Sequence, residues 1–257
     1  MRKLARRARR RLRRLSGRAR LVVSVLTASA RRDSLYLLVS GSPADGLSPA
    51  LVRTVRAAVT VRIPVEVLVL DFVPGGAESV PAELPAAVSV RRFWREAAPD
   101  GGGAAPRQAT APLPREPVPV GEEWRTGYYR AGRPVLALRE SEGATLVEHY
   151  GHAGVPVRRV EIDGRGTLVR IVDLHPATGR DVTHRYLDSD GECWLSVWVD
   201  GEDGTLGPTQ QHRPHLREFE SFRAAQAEWV AEQMARAARR RVVAVGRGAE
   251  QVAALVR

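Results

Sequence analysis

Residues 183–199, THRYLDSDGECWLSVWV, hold two runs rich in aromatic, β-branched and other apolar residues, THRYL and CWLSVWV, one on each side of Ser189-Asp190-Gly191. Short runs of this composition on either side of a turn are typical of strands, and an Asp-Gly pair supplies the positive φ angle that tight hairpins require. The stretch therefore predicts an antiparallel hairpin of two strands, Thr183–Leu187 and Cys193–Val199.

Three aromatic residues make this hairpin a candidate interaction surface. Tyr186, Trp194 and Trp198 have the same parity across the two strands only if the turn keeps them in register. A meander leaves edge strands and one sheet face to be covered. We therefore expect Trp194 or Trp198 to be buried, against the sheet's own partner layer or against a second subunit in an oligomer.

From Trp124 onward the sequence takes a period of two. It predicts further strands at Pro134–Leu138, Leu146–Tyr150, Val157–Ile162 and Leu168–Leu174. Turn residues separate these strands at Ser141-Glu142-Gly143, Asp163-Gly164 and Asp200-Gly201. Asp163-Gly164 and Asp190-Gly191 lie 27 residues apart, each between two apolar strands, which indicates a degenerate hairpin repeat. The segment is predicted to be an antiparallel meander in which consecutive strands pair.

A different pattern precedes the meander. Leu35–Ser40 (LYLLVS) and Val65–Phe72 (VEVLVLDF) are apolar runs of the buried-strand type, and Val88–Val90 predicts a short further strand. The turn-rich loop Gly41–Ser48 and a helix over Pro49–Val59 connect the first two runs. Strand, helix and strand within about forty residues form a βαβ unit, which favours a parallel sheet.

The last forty residues return to the α/β pattern. An apolar stripe predicts a helix of about twenty residues from Phe219, Phe222, Trp229, Val230 and Met234. Arg239–Arg241 would end this helix at its negative pole. Val242–Val245 is then predicted as a strand, and Gly246-Arg247-Gly248 as a turn into a short final helix. The predicted fold class is α/β with an inserted antiparallel β-meander.

Two glycine-containing loops follow predicted strands and precede helices, where backbone N–H groups can meet phosphate. Their candidate residues are Gly41, Ser42 and Gly46 in the first loop and Gly246 and Arg247 in the second. Neither loop has the dinucleotide glycine pattern or the P-loop ending, so plain surface turns stay an alternative. The pairs His149/His152 and His212/His215 lie in strand or loop sequence and predict no metal site. Asp188, Asp190, Gly191 and Glu192 lack the spacing of a calcium loop and indicate a hairpin turn.

The positive charge is confined to one end of the chain. Residues 1–20 carry eleven Lys or Arg and no acid, whereas residues 21–257 hold 29 bases and 29 acids. This basic arm predicts contact with an anionic membrane surface. The single cysteine, Cys193, fits a reducing compartment, so the expected location is the cytoplasm, peripheral on the inner membrane face. A solvated tail is an alternative. So is an export signal, because the apolar run LVVSVL and Ala28-Ser29-Ala30 follow the arm. Nucleic acid is disfavoured, because no aromatic residue is interleaved for base stacking.

Residues 183–199 resemble a stretch of a bacterial glycosyltransferase group that includes teichoic-acid α-glucosyltransferases and the N-acetylglucosaminyltransferases of serine-rich adhesins. The shared pattern is aromatic, Asp, acidic-Gly, aromatic-Leu, followed by an apolar helix like Phe219–Met234. Val65–Phe72, Tyr128–Val135 and Val242–Val245 can be placed on the same pattern. The resemblance covers roughly residues 35 to 257.

The resemblance implies a GT-B architecture of two facing Rossmann-like domains, with an antiparallel β domain inserted in the first. The segments would be a basic arm (1–32), the first part of a Rossmann-like domain (33–96), a Pro/Gly/Ala-rich linker (97–123), the inserted β domain (124–217) and the return to the Rossmann-like domain (218–257). In residues 97–121, sixteen of 25 are Pro, Gly or Ala, which favours an extended connector.

The activity implied by the resemblance is retaining transfer of glucose or N-acetylglucosamine from a UDP-sugar to a polymer or protein acceptor, with no cofactor besides this donor substrate. The family's donor-side basic pair and paired glutamates lie in the second domain, and this sequence stops about where the first should end. Glu140/Glu148 and Glu220/Glu228 have a similar spacing, but neither pair is placed in that role. The isolated chain is therefore expected to be inactive, requiring a second domain or a partner subunit. A non-catalytic acceptor-binding or assembly subunit, and a nucleic-acid-binding protein acting through the arm, are the alternatives.

Overall fold

The computed structural model describes residues 34–40, 49–72, 84–98, 118–120, 124–141, 144–237 and 240–256. The basic arm, the loop 41–48 and most of the predicted linker lie outside the described residues. The chain divides into two compact units, and the boundary that follows the second unit falls between Ala225 and Gln226. No helix among the described residues is long and apolar enough to cross a bilayer.

The first unit is built on a parallel four-stranded sheet. Its elements are β1 (Ser34–Val39), α1 (Pro49–Thr60), β2 (Val65–Val69), β3 (Ser89–Arg92), α2 (Phe93–Glu96), most of α3 (Phe222–Ala235), β14 (Arg240–Val245) and α4 (Arg247–Leu255). The strand order is β14-β1-β2-β3, and every neighbouring pair is parallel. The predicted βαβ unit is confirmed, because β1 and β2 pair in parallel and are joined by α1.

Apolar residues on both faces of the central strand explain why this sheet forms. Leu37 and Leu38 are consecutive, so they point to opposite faces of β1, and both are fully buried. Burial on both faces requires helical layers, as is typical of parallel sheets. Helix α1 packs on β2, and α4 packs on β1 and β14. Val52 and Val55, one helical turn apart on α1, belong to the core on one side of this sheet.

The second unit is an antiparallel meander of ten strands. They are β4 (Val118–Val120), β5 (Trp124–Arg130), β6 (Arg133–Ser141), β7 (Ala144–Tyr150), β8 (Pro156–Asp163), β9 (Leu168–Leu174), β10 (Asp181–Leu187), β11 (Cys193–Val199), β12 (Leu206–Gln211) and β13 (Arg217–Phe219). Each strand pairs with the next one along the chain. The predicted meander is therefore confirmed, with β4, β5, β12 and β13 as strands that had not been predicted individually.

Two of the hairpin turns have the same construction. The Asp163 carboxylate accepts hydrogen bonds from the backbone N–H groups of Arg165 and Thr167, at 2.9 Å each. The Asp188 carboxylate accepts the equivalent pair from Asp190 and Glu192, at 3.0 Å each. In both turns the positive φ belongs to the glycine three residues after the aspartate, Gly166 or Gly191. The turn expected at Asp163-Gly164 is therefore present, with the Gly166 N–H donating to the Asp163 carbonyl at 2.9 Å, but the positive φ belongs to Gly166 and not to Gly164.

The helix of the last segment is shorter than the apolar stripe predicts. Helix α3 has fourteen residues and begins at Phe222, because Phe219 belongs to β13 and pairs with Thr209. The helix ends at Ala235, so the basic cluster does not close its last turn. Arg240 and Arg241 instead begin β14, where they pair with Ser34 and Leu35. The prediction of an arginine-terminated helix of about twenty residues was wrong for this reason.

Candidate functional site

The strand order of the parallel sheet marks one place for a ligand. From the central β1 the chain builds outward to β2 and β3 on one side, and β14 is later added on the other. The order therefore reverses between β1 and β14. In open α/β sheets a crevice forms at such a switch point, outside the carboxyl ends of the two strands. Gly246 follows β14 at this edge, and Ser40 follows β1.

Gly246 and Ser40 join these two strand ends. The backbone N–H of Ser40 donates to the carbonyl of Val245, and the N–H of Ala249 donates to the Ser40 hydroxyl at 2.7 Å. Gly246 is the residue before α4 and has no side chain with which to cap it. The Ser40 hydroxyl supplies the missing cap from a neighbouring strand, at the third helical position that a capping side chain normally serves. This serine was not among the predicted site residues.

The predicted loop residues divide between described and undescribed parts of the chain. Gly41, Ser42 and Gly46 lie outside the described residues. Gly246 has φ 93° and ψ 153°, and Arg247 is the first residue of α4, with an exposed side chain. At this position the positive end of the helix dipole and the guanidinium of Arg247 can both attract an anion.

The carboxyl end of β2 is held by side chains from two helices. The carbonyl of Leu70 accepts hydrogen bonds from the Trp94 indole at 3.0 Å and from the Gln226 amide at 2.7 Å. Gln226 is fully buried, and Phe93 makes edge-to-face contacts with Trp94 and Trp229. These contacts fix α2 and α3 against β2 and so stabilise the edge of the sheet on which the candidate site lies.

The aromatic residues of the β10–β11 hairpin do not share a face. Residues directly opposite in an antiparallel pair lie on the same face, and Tyr186 is opposite Leu195, whereas Trp198 is opposite Thr183. The register shifts between Tyr186 and Leu187. Tyr186 therefore lies on one face, here called the Tyr186 face, and Trp194 and Trp198 lie on the other, the Trp198 face.

Exposure separates the two tryptophans. Trp194 is 1% exposed and Trp198 is 43% exposed, while Tyr186 is buried on its own face. The expectation that at least one of the two tryptophans is buried agrees with this geometry. Of the three aromatic residues predicted to form an interaction surface, only Trp198 has much of its ring accessible. The role of the three as an interaction surface stays a prediction.

A network of ionisable side chains lies on the Tyr186 face. Arg170 donates from Nε to Glu161 at 2.9 Å and from Nη2 to the same carboxylate, and its guanidinium lies over the Tyr186 ring. His184 contacts the Asp181 carboxylate through Nε2 at 2.8 Å and the Tyr186 hydroxyl through Nδ1 at 3.4 Å. Since a carboxylate only accepts, Nε2 carries the proton of this bond.

The network continues across the sheet. Arg159 lies 3.6 Å from Asp181 and donates to Glu148 at 3.3 Å, and Glu148 accepts a hydrogen bond from the Tyr150 hydroxyl. The register shift between Asp181 and Thr183 makes this possible, because the extra residue turns Asp181 to the face of His184. The hydrogen bond from His184 lowers the pKa of Asp181, and burial raises the pKa of Tyr186. The Tyr186 hydroxyl is buried, so this geometry suits strand alignment rather than catalysis.

The comparisons with known proteins support the fold. No protein-family model and no curated protein sequence matches the chain. The structure is similar to TarM, with a TM-score of 0.59 at 9% identity over 78% of this chain and 43% of that chain. A mutant of S. aureus TarM in complex with fondaparinux, α-GlcNAc-glycerol and UDP gives a TM-score of 0.55 at 9% identity, with the same coverage.

A complex of glycosylation-associated proteins is similar to the same extent. The Gap123 complex from Streptococcus agalactiae gives a TM-score of 0.57 at 10% identity, over 79% of this chain and 44% of that chain. The chain thus spans less than half of the length of the structures it matches. At such identities the likeness shows a shared fold. The predicted α/β fold class with an inserted antiparallel meander is confirmed, and the coverage of less than half of the matched chains is consistent with the N-terminal Rossmann-like half of a GT-B architecture.

Proposed function

We propose that the chain is the N-terminal, acceptor-side part of a retaining, UDP-sugar-dependent glycosyltransferase that modifies a polymer or protein acceptor. The observation that carries the proposal is the combination of a parallel sheet of order β14-β1-β2-β3 with a long inserted meander. TarM shares this fold and has been solved, as a mutant, with UDP and α-GlcNAc-glycerol. A chain of this fold is therefore well suited to the same class of donor.

The proposed contribution of this chain is one wall of the cleft. Breaking the bond between sugar and diphosphate requires preorganised donors around the charge that develops on the leaving group. Gly246 and Arg247, at the start of α4, would face that charge from the switch point. We propose that most of the other hydrogen-bond donors to the diphosphate come from outside these 257 residues. A cleft with a single wall leaves the diphosphate in water, where hydrogen bonds to charged groups lose most of their strength.

The isolated 257-residue chain is therefore expected to release no UDP from UDP-glucose or UDP-N-acetylglucosamine. The measurement is a UDP-release assay on the purified chain, repeated after a second domain or partner subunit is added. Arg247→Ala should lower the complemented activity about tenfold, the equivalent of one charge-assisted hydrogen bond. Arg62→Ala is the matched control, because Arg62 precedes β2 and lies at the opposite edge of the sheet. Steady turnover by the chain alone, abolished by Arg247→Ala but not by Arg62→Ala, would overturn the proposal.

A second candidate is a non-catalytic subunit that binds the acceptor or assembles a glycosylation complex. The likeness to the Gap123 complex, at a TM-score of 0.57, favours this alternative. The two candidates differ in what Arg247 does. If the complemented system transfers sugar equally well with Arg247→Ala, and the chain still raises the affinity for the acceptor, the role is that of a non-catalytic subunit.

We propose further that residues 1–20 bind an anionic membrane surface. Their eleven basic residues hold all of the excess charge of the chain, and each one near such a surface contributes about 1 kcal/mol. Deleting them is expected to abolish binding to vesicles that contain anionic phospholipids and to leave the melting temperature unchanged. Vesicle co-sedimentation measures this binding, and the intact protein should be released as salt rises. Equal binding with and without the arm would rule the proposal out.

A further inference from the structure

One row of side chains crosses four neighbouring strands on the Trp198 face. Trp198 is directly opposite Thr183 on β10, Thr183 is opposite Asp173 on β9, and Asp173 is opposite Arg158 on β8. Three spacings between strands make this row roughly 14 Å long. An indole ring, a hydroxyl, a carboxylate and a guanidinium therefore follow one another along a line on one face of the sheet.

The polar members of this row are held in place by ion pairs. Asp173 accepts from Arg158 Nε at 2.9 Å, and its other oxygen pairs with Arg185 on the neighbouring strand β10. The side chains of Arg158, Asp173 and Arg185 are 50%, 30% and 35% exposed, so the row is accessible to solvent. The opposite face of the same strands buries its charged pair, Glu161 with Arg170. The members of the Trp198 row are therefore more exposed than this pair, whereas Trp194, on the same face as the row, is 1% exposed.

We infer that the row formed by Trp198, Thr183, Asp173 and Arg158, with Arg185 beside it, binds an acidic oligosaccharide of the acceptor. The inference rests on the proposed function, since it takes the acceptor to carry a sugar chain. It adds a site on the inserted meander, distinct from the switch point of the parallel sheet.

The chemistry of the row matches this ligand at each position. The apolar C–H face of a sugar ring stacks on an exposed indole, which offers a large flat contact at little cost in conformational entropy. The Thr183 hydroxyl and the Asp173 carboxylate are suited to ring hydroxyls. Two guanidinium groups, of Arg158 and Arg185, share the single carboxylate of Asp173, which leaves a surplus positive charge. This charge favours ligands with carboxylate or phosphate groups, which arginine binds in bidentate fashion.

The test uses the full chain without any UDP-sugar, so that binding is measured apart from transfer. A hyaluronan hexasaccharide is the acidic probe, and N-acetylchitohexaose is the neutral one. Isothermal titration calorimetry is expected to give tighter binding of the acidic probe, with an affinity that falls as salt rises. Stacking on Trp198 is also expected to change the tryptophan fluorescence on addition of the probe.

Substitutions test whether the probe binds at the Trp198 row. Trp198→Ala is expected to weaken binding of the acidic probe about tenfold and to remove the fluorescence change, and Trp198→Phe should retain most of the affinity without that signal. Arg158→Gln is expected to weaken binding of the acidic probe about tenfold and to leave the neutral probe unaffected. Leu216→Ala, at an exposed apolar residue of the same unit outside the strands, is the control and should change nothing.

The outcomes are separable. Equal affinities for the two probes, no binding by the intact chain at millimolar probe, or unchanged binding by a folded Trp198→Ala variant would each overturn the inference. Loss of binding in Trp198→Ala counts only if its melting temperature is unchanged, and otherwise Trp198→Phe and Arg158→Gln decide. If the chain binds the acidic probe as expected but the complemented system transfers no sugar, the proposed function fails and the sugar-binding row stands.

Discussion

Replacing Glu161 with alanine is expected to lower the free energy of unfolding of the inserted meander by about 3–5 kcal/mol. The Glu161 side chain is 5% exposed and that of Arg170 is 19% exposed, and two hydrogen bonds join them. Removing the carboxylate leaves a guanidinium that stays protonated at any ordinary pH and has lost its counter-charge. Differential scanning calorimetry should show a fall of roughly 10 °C or more in the transition of this unit.

The same two strands provide the control for this prediction. Arg158 and Asp173 also pair β8 with β9, but their side chains are 50% and 30% exposed, so Arg158→Ala should cost less than about 1 kcal/mol. The double variant Glu161→Leu with Arg170→Met removes both charges and should be more stable than Glu161→Ala alone, because no unpaired charge is left buried. A cost below 1 kcal/mol for Glu161→Ala, or a double variant less stable than the single one, would contradict the argument.

The meander could be predicted because its signal is local. A period of two in each strand and turn residues between strands are properties of a few neighbouring residues. Cys193–Val199 and Leu168–Leu174 were predicted to the residue. Strand β12 (Leu206–Gln211) was missed, because LGPTQQ holds a glycine, a proline and three polar residues and its place in the sheet comes from pairing with β11.

Register and turn geometry were harder to predict, because a shift of one residue in the pairing moves every side chain beyond it to the other face of the sheet. The shift between Tyr186 and Leu187 separates Tyr186 from the two tryptophans, and no residue in the sequence marks it. The hairpin repeat was predicted from the sequence, but its two copies were aligned on the wrong residues. Its equivalent positions are Asp163 with Asp188 and Gly166 with Gly191, which are 25 residues apart, because the aspartate carboxylate caps the turn three residues before the glycine. The sequence DGRGT offers two glycines, and only the structure selects the second.

The candidate site shows the same limit. A glycine turn between strand and helix predicted that Gly246 lies at a ligand-facing edge, and the sheet order places it beside the end of β1. Ser40 was not predicted, because its hydroxyl caps a helix that begins 207 positions later in the chain (247 against 40). Likewise, the contact between Asp181 and His184 depends on a register shift that the sequence does not mark. The ion pair of Glu148 with Arg159 could not be predicted either, because it depends on the pairing of two different strands.

Gly246→Ala is expected to destabilise the parallel-sheet unit by about 3 kcal/mol or more, since backbone strain and overpacking each cost roughly 1–3 kcal/mol. A β-carbon on Gly246 would lie 1.8 Å from the Ser40 carbonyl oxygen, and φ of 93° with ψ of 153° belongs to glycine. Because the clash is with backbone, adding Ser40→Gly should not rescue the variant. Gly166→Ala isolates the strain, since its φ is 81° and nothing lies within 4 Å, so it should cost only about 1 kcal/mol. Urea unfolding of the three variants measures the differences, and equal costs for Gly246→Ala and Gly166→Ala would show that β1 and α4 are not packed this closely.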